Sequence, residues 1–309
     1  MKITLSAIAI ELGEHEKIYS DIEHIEDLIN KYKLTDRPDY WGWGNFRLSE
    51  RTSFDLVQSA ILKTFERTQI SRDKIDLMIY CSAGTGEQYQ LVNENLGRLL
   101  KNISLPNIPV FGQSYLGCVS IFSAIDIANE LLKNGIKKNI LIATSDKISG
   151  DIIRFREFGI YSDSASSFLM SSEVDEDFEL LACCQGSNSK LMIGEMENND
   201  SHFQNLQRVH AALFNKVSID VLGVKKIFFT NVYKPILQIN TVRLGYKQSQ
   251  HFNENIQKYG HCFSSDPIIN LVTYNEENQT DENTLFVLGA MALGHAGFCV
   301  IKKIQGSSI

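Results

Sequence analysis

VFGQSYLGCVSIFSAIDIANELLKNGIKKNILIATSD, residues 110–146, is the stretch from which the rest of the chain can be read. It opens as the end of an apolar strand, NIPVFGQ (107–113), and passes through a small-residue turn. It continues as a helix, CVSIFSAIDIANELLKNG (118–135), that is apolar around most of its circumference and stopped by Asn134 and Gly135. A helix apolar on all sides belongs between layers rather than on a surface. The strand KKNILIATSD (137–146) follows it. Two possible nucleophiles, Ser114 and Cys118, lie four residues apart where strand turns into helix.

The same alternation extends outward in both directions. KITLSAIAIEL (2–12), KIDLMIYCSAG (74–84) and IYSDSASSFLMSS (160–172) read as strands. SFDLVQSAILKTFERTQI (53–70), with Thr52 or Ser53 as cap, and QLVNENLGRLLKN (90–102) read as helices. Beyond the polar stretch SSEVDED the grammar repeats: strands FELLACCQGSN (178–188) and VKKIFFTN (224–231), then a helix KPILQINTVRLG (234–245) with Pro235 near its start. A further helix starts at DPIINLVTYN (266–275), with Asp266 capping and Pro267 at its first position, and TLFVLGAMALGHAGFCVIKK (284–303) reads as a hairpin. Alternation of this kind predicts an α/β fold with a largely parallel sheet, in two candidate units, 1–174 and 175–309. GSNSKLMIGEMENNDSH (186–202) reads as an exposed excursion.

Composition narrows the function classes. With 309 residues, 43% hydrophobic, 22% charged and only five prolines, the chain is ordinary globular protein. A formal net charge of −7 with no basic stripe argues against nucleic acid, and no window approaches 18 uninterrupted apolar residues. The N-terminus has no cleavage-site pattern, so the expectation is a cytoplasmic protein without a membrane span. Six cysteines with no C-x-x-C pair make neither a disulfide framework nor a zinc cage, and no metal is expected. CSAGTGEQ (81–88) follows a strand but lacks the lysine and spacing of a phosphate loop.

Of the two nucleophiles, Ser114 fails the G-x-S-x-G elbow by one residue, because Gly117 comes one position late. Cys118 sits in the first turn of a helix, where free N–H groups and the helix dipole favour a thiolate, and Gly117 lets a carbonyl approach the backbone. A buried small hydrophobe is the competing reading of the same residue. Nucleophilic cysteines need a proton partner. Among seven histidines, His261 in KYGHCFSSDP follows a glycine and precedes a helix, a loop position suited to function, whereas His295 sits in the hairpin turn.

On these residues the chain resembles the ketoacyl-ACP synthase III family of the thiolase superfamily. CVSIFSAIDIANELLKNGIKKNILIATSD is similar to the family's cysteine, buried helix and strand ending in S-D. KIDLMIYCSAG resembles its D-L-[IV] strand, YSDSASSFLMSS its F-G-D-G-A segment, and the C-terminal hairpin its glycine loop. The resemblance implies a thiolase fold, two similar βαβαβαβ halves in a five-layer αβαβα arrangement, usually a homodimer. It makes Cys118 the acyl acceptor, with acyl-CoA or acyl-ACP as substrate and no separate cofactor. The family's V-P-H-Q-A-N histidine corresponds here to Asn231 and its H-G-N-[TS] asparagine to His261, so the two residue types are exchanged. Two donors to a thioester carbonyl would remain, with His261 placed to act as general base. YWGWGNFRLSE resembles the coenzyme A stretch, making Trp41, Trp43 and Arg47 candidates for the pantetheine donor. Lys234, with Arg243 and Lys247, is the candidate patch for an acidic carrier protein. Decarboxylative condensation, ester or amide formation, and a non-catalytic partner of a heteromeric synthase are the three functions left open.

Overall fold

Side chains alternate across a strand, so a sheet covered on both sides divides each strand between two cores. In the computed structural model, which describes residues 1–83, 89–194 and 199–304, that division is followed strand by strand. Strand β1 is Thr4–Leu12, β2 His15–Ile18, β3 Asn45–Leu48, β4 Leu77–Cys81, β5 Val110–Gln113 and β6 Asn139–Asp146. The later strands are β7 Ser164–Ser171, β8 Phe178–Ser187, β9 Lys226–Phe228, β10 Leu285–Ala292 and β11 His295–Lys303. The helices are α1 Ile25–Lys31, α2 Pro38–Trp41, α3 Ser53–Arg67, α4 Tyr89–Asn102, α5 Ser120–Lys133, α6 Ser189–Met192, α7 Asn199–Lys216, α8 Lys234–Arg243, α9 Glu254–Tyr259 and α10 Asp266–Glu277.

Nine strands form one sheet in the order β5-β4-β6-β7-β1-β8-β11-β10-β9, with β2 and β3 as a separate ribbon. The halves meet where β1 pairs β8 through Thr4↔Glu179 and Leu5↔Phe178. Outward from that seam the first half runs β1, β7, β6, β4, β5. The second runs β8, β11, β10, β9, followed by an isolated parallel bridge between Ile227 and His251. Each half thus places its own strands in the same order about a pseudo-two-fold axis, as the thiolase fold requires.

Burial resolves the layers. Leu77, Ile79, Ile140, Ile142, Phe168 and Met170 face a central core that also contains Cys118, Phe122, Ile125, Ile268 and Leu271 of the α5 and α10 regions. The residues between them, Met78, Leu141, Ala143 and Leu169, face α3 and α4. Across the seam, Cys183, Leu288 and Cys299 point to the central core, while Cys184, Val287 and Phe298 point outward to α7 and α8. The result is α3/α4, sheet, α5/α10, sheet, α7/α8. Burying each large aliphatic or aromatic side chain of α5 contributes roughly 1.5–3 kcal/mol, which explains why its first turns are wholly buried and only its later turns expose a polar edge, Glu130 and Lys133.

Three sequence expectations change. The sheet is mixed rather than largely parallel: β5–β4, β4–β6 and β9–β10 are parallel, but β7 pairs antiparallel with β6 and β1, and β11 with β10 and β8. The reason is that β7 and β11 each follow their neighbour without a crossover helix. Strand β9 stops at Phe228, so Asn231 belongs to a loop. Helix α7, with Phe203, Leu206, Val209 and Leu213 buried, begins inside the excursion read as exposed. Of that excursion, 195–198, and of CSAGTGEQ, 84–88, lie outside the described residues. No described helix is long and apolar enough to cross a membrane.

Candidate active site

The turn ahead of α5 is set by Gly117, at φ +54°, where an added Cβ would lie 3.1 Å from Ala292 Cβ. A single 3-10 turn, Gly117–Val119, then carries Cys118 into the head of the helix, buried in the central core. The Gly117 carbonyl accepts from Ser120 Oγ at 2.8 Å and Ser264 Oγ at 3.2 Å. A trans peptide holds its N–H opposite its C=O, so these two hydroxyls also fix the direction of the Cys118 N–H.

His261 reaches the same point from the second half. Its Nε2 lies 3.4 Å from Cys118 Sγ. Gly260 makes the approach possible: at φ +67° an added Cβ would sit 2.4 Å from the Ile160 carbonyl oxygen, which accepts the His261 N–H at 2.7 Å. On the other side of the ring, Nδ1 is bonded to Asp266 Oδ2. The same carboxylate accepts the Asn231 N–H at 2.9 Å and, on Oδ1, the Cys262 N–H at 2.7 Å. Cys118, His261 and Asp266 form a sulfur–imidazole–carboxylate relay, the arrangement in which an acid orients a base toward a nucleophile. The sequence showed Asp266 only as a helix cap. A buried Asp-Pro helix start five residues after a loop histidine was the available signal, because a carboxylate there faces the backbone upstream of it.

Asn231 lies beside the relay, and its side chain is engaged elsewhere. Nδ2 donates to the Gly260 carbonyl at 2.9 Å, and Oδ1 accepts from Asn270 Nδ2 at 2.9 Å. Asn270 in turn accepts from Asn255 at 2.9 Å. Expected as a second donor to the thioester carbonyl, Asn231 here commits its oxygen and one N–H to a buried amide chain that braces the loop that carries His261.

Electrostatics supports a proton-sharing pair. Burial disfavours charge on His261, but Asp266 and Cys118 outweigh it and carry the imidazole up to about 10. Burial pushes the Cys262 thiol well up, so it does not compete as nucleophile. Asp146, at the end of β6, is raised to about 7 by burial, against bonds from Ala83 N at 2.7 Å and Ser82 Oγ at 3.0 Å. Among the described residues no group of three His, Cys, Asp or Glu side chains could hold a metal ion.

Of the candidates for the donor, Trp41 and Trp43 pack against Tyr233. Trp41 is half-buried, its Nε1 donating to the Thr35 carbonyl at 2.8 Å and its ring centroid 5.8 Å from Tyr233. Trp43 is corrected to a core residue, 1% exposed and packed with Phe46 and Phe155. The Arg47 guanidinium is held by Glu16 of the β2–β3 ribbon. Lys234 bonds Gln257 Oε1 at 3.2 Å and lines a cavity of about 370 Å³ with Tyr40, Gln238, His251 and Asn253. Arg243, in the last turn of α8, lies over the Phe203 ring.

These features define a class: a thiolase-fold protein with a cysteine at the head of its central helix. No protein-family model matches the chain. Over its whole length it is similar to beta-ketoacyl-acyl-carrier-protein synthase III of Campylobacter jejuni strain RM1221, 22% identical over 335 residues, covering 100% of this chain and 99% of that one. Among solved structures, an acyltransferase, ChlB3, matches with TM-score 0.82 at 14% identity, covering 99% of this chain and 98% of that one. The 3-oxoacyl-acyl-carrier-protein synthase III of Aquifex aeolicus VF5 matches with TM-score 0.79 at 16% identity, covering 98% and 100%. The particular likeness is to ketoacyl-ACP synthase III, of which this chain is a divergent relative; at such identities the structural matches speak for the fold alone.

Proposed function

We propose that the protein is a cytoplasmic acyltransferase that takes an acyl group from acyl-CoA or acyl-ACP onto Cys118 and passes it to a hydroxyl or amine acceptor. The observation that carries this reading is the Cys118–His261–Asp266 relay with Asn231 turned away. In loading, the sulfur attacks the thioester carbonyl, the new carbon–sulfur bond forms, and the donor thiol leaves with the proton from His261. In transfer, the acceptor's proton passes to His261, its oxygen or nitrogen bonds the carbonyl carbon, and the Cys118 sulfur leaves. Acylation removes the free Cys118 sulfur, which is one of the causes that raise His261. The ring therefore becomes a better base once an acceptor is to be deprotonated.

Of the three functions left open, transfer is thus ranked ahead of condensation. Decarboxylation of a malonyl thioester calls for two donors to one carbonyl, and Asn231 already commits one amide N–H to Gly260 and its oxygen to Asn270. The intact relay also counts against a non-catalytic subunit. A homodimer, and an acidic carrier protein as partner, follow from the likeness to synthase III and belong to the proposal. Protein pre-acylated with octanoyl-CoA and chased with malonyl-CoA, or with a panel of alcohols and amines, tests it. Release as ester or amide is expected; a product longer by two carbons would return the reading to condensation.

A further inference from the structure

The relay supplies a nucleophile and a base, and the Cys118 N–H is one donor for the oxygen of the reacting carbonyl. We propose that Tyr161 is a further one: its phenol donates a hydrogen bond to the carbonyl oxygen of the acyl group on Cys118. The inference rests on the acyl-transfer reading above. Tyr161 and His261 are partners in an isolated parallel bridge, with Ser162 N donating to the His261 carbonyl at 2.9 Å. Residues so paired project to the same face. The Tyr161 ring centroid lies 5.4 Å from that of His261 and 4.6 Å from that of Phe263, and the ring packs on the core that contains Cys118. The residue is half-buried, and among the described residues its hydroxyl makes no hydrogen bond to the protein, which leaves that donor available to a bound carbonyl.

The backbone behind it is locked. Tyr161 N donates to the Arg154 carbonyl at 2.8 Å, and Arg154 Nη1 donates to the Tyr161 carbonyl at 3.3 Å. Arg154 is itself clamped by Asp163 through two bonds of 2.9 Å, both residues fully buried. Burial, with the nearby Cys118 as the next cause, pushes the phenol up to about 12, so it keeps its proton as a donor. The F-G-D-G-A pattern that this segment resembles has phenylalanine at this position, so the hydroxyl is an addition.

Tyr161→Phe keeps the ring and removes only the donor. Octanoyl-CoA is mixed with the unsubstituted protein, Tyr161→Phe and His261→Ala, and acyl-adduct formation is timed by intact-protein mass spectrometry, beside the rate of iodoacetamide alkylation of Cys118. For Tyr161→Phe the expected result is acylation slowed by about 10²–10³-fold with alkylation unchanged, whereas His261→Ala slows both. Acylation at the unsubstituted rate would overturn the donor role alone. A parallel fall in alkylation would also overturn it, by assigning Tyr161 to His261 positioning. No adduct on the unsubstituted protein would overturn the acyl-transfer reading and this donor with it.

Discussion

Asp266→Asn is the substitution on which the relay can be judged. Three donors converge on the carboxylate: the His261 ring, the Asn231 N–H and the Cys262 N–H. An amide keeps one oxygen. If that oxygen stays on Cys262, the NH₂ group faces the other two donors, and each unsatisfied buried group costs about 1–3 kcal/mol. Once the His261 ring switches tautomer and accepts from that NH₂, the Asn231 N–H alone stays unsatisfied, so the fold should lose roughly 1–3 kcal/mol, read as a shift in urea midpoint. Function should fall further, because the wrong ring tautomer in such a relay costs about ten-thousand-fold in rate. A pH series adds an independent sign. His261 is raised from 6.5 to about 10, so its contribution to stability is full below about 6.5 and is lost as pH rises through about 10. The unsubstituted protein should therefore lose melting temperature between pH 8 and 10 more steeply than Asp266→Asn does. Transfer of an octanoyl group by folded Asp266→Asn within about tenfold of the normal rate, a loss of roughly 1.4 kcal/mol, would refute the relay.

Three further outcomes follow. Asn231→Ala leaves the Gly260 carbonyl and one Asn270 N–H without a partner, with Asn270 keeping its bonds to Phe229 and Asn255, and should cost about 2–5 kcal/mol in urea unfolding, while its folded fraction keeps the Cys118 alkylation rate; a selective loss of alkylation in a stable variant would make Asn231 a direct participant. Gly260→Ala forces a Cβ to within 2.4 Å of the Ile160 carbonyl at a positive φ, so both stability and iodoacetamide reactivity should drop together; an unaffected alkylation rate would show that His261 does not depend on that turn. Asp146 is raised from 3.8 to about 7, so stability is fullest below 3.8 and falls as pH climbs through 7. Asp146→Asn keeps the oxygen that Ser82 and Ala83 use, and its stability advantage should widen across that range by on the order of 4 kcal/mol; a pH-independent difference between the two melting curves would contradict it.

The central helix, the strands flanking it and the place of Cys118 were legible because burial over most of its circumference leaves few polar residues, as the chain spells out in CVSIFSAIDIANELL. His261 was legible as a loop histidine after a glycine. What escaped was decided by contacts across long separations. The short strand β9 ends before Asn231, and only the fold shows that the amide turns to Gly260 and Asn270. Asp266 carried an ordinary helix-start pattern, and its second task exists only because Gly260 brings His261 against it. Trp43 looked like a ligand-binding aromatic by its neighbours in sequence, yet its indole fills the core under α2. Helix α7 was hidden because its first residues are polar and only one face is apolar.

The most direct measurement is the mass and location of the acyl group after the protein is mixed with octanoyl-CoA. One octanoyl adduct is predicted, mapped by peptide analysis to Cys118, absent from Cys118→Ala and slowed in His261→Ala. An adduct that persists in Cys118→Ala, or none on the unsubstituted protein, would contradict the account.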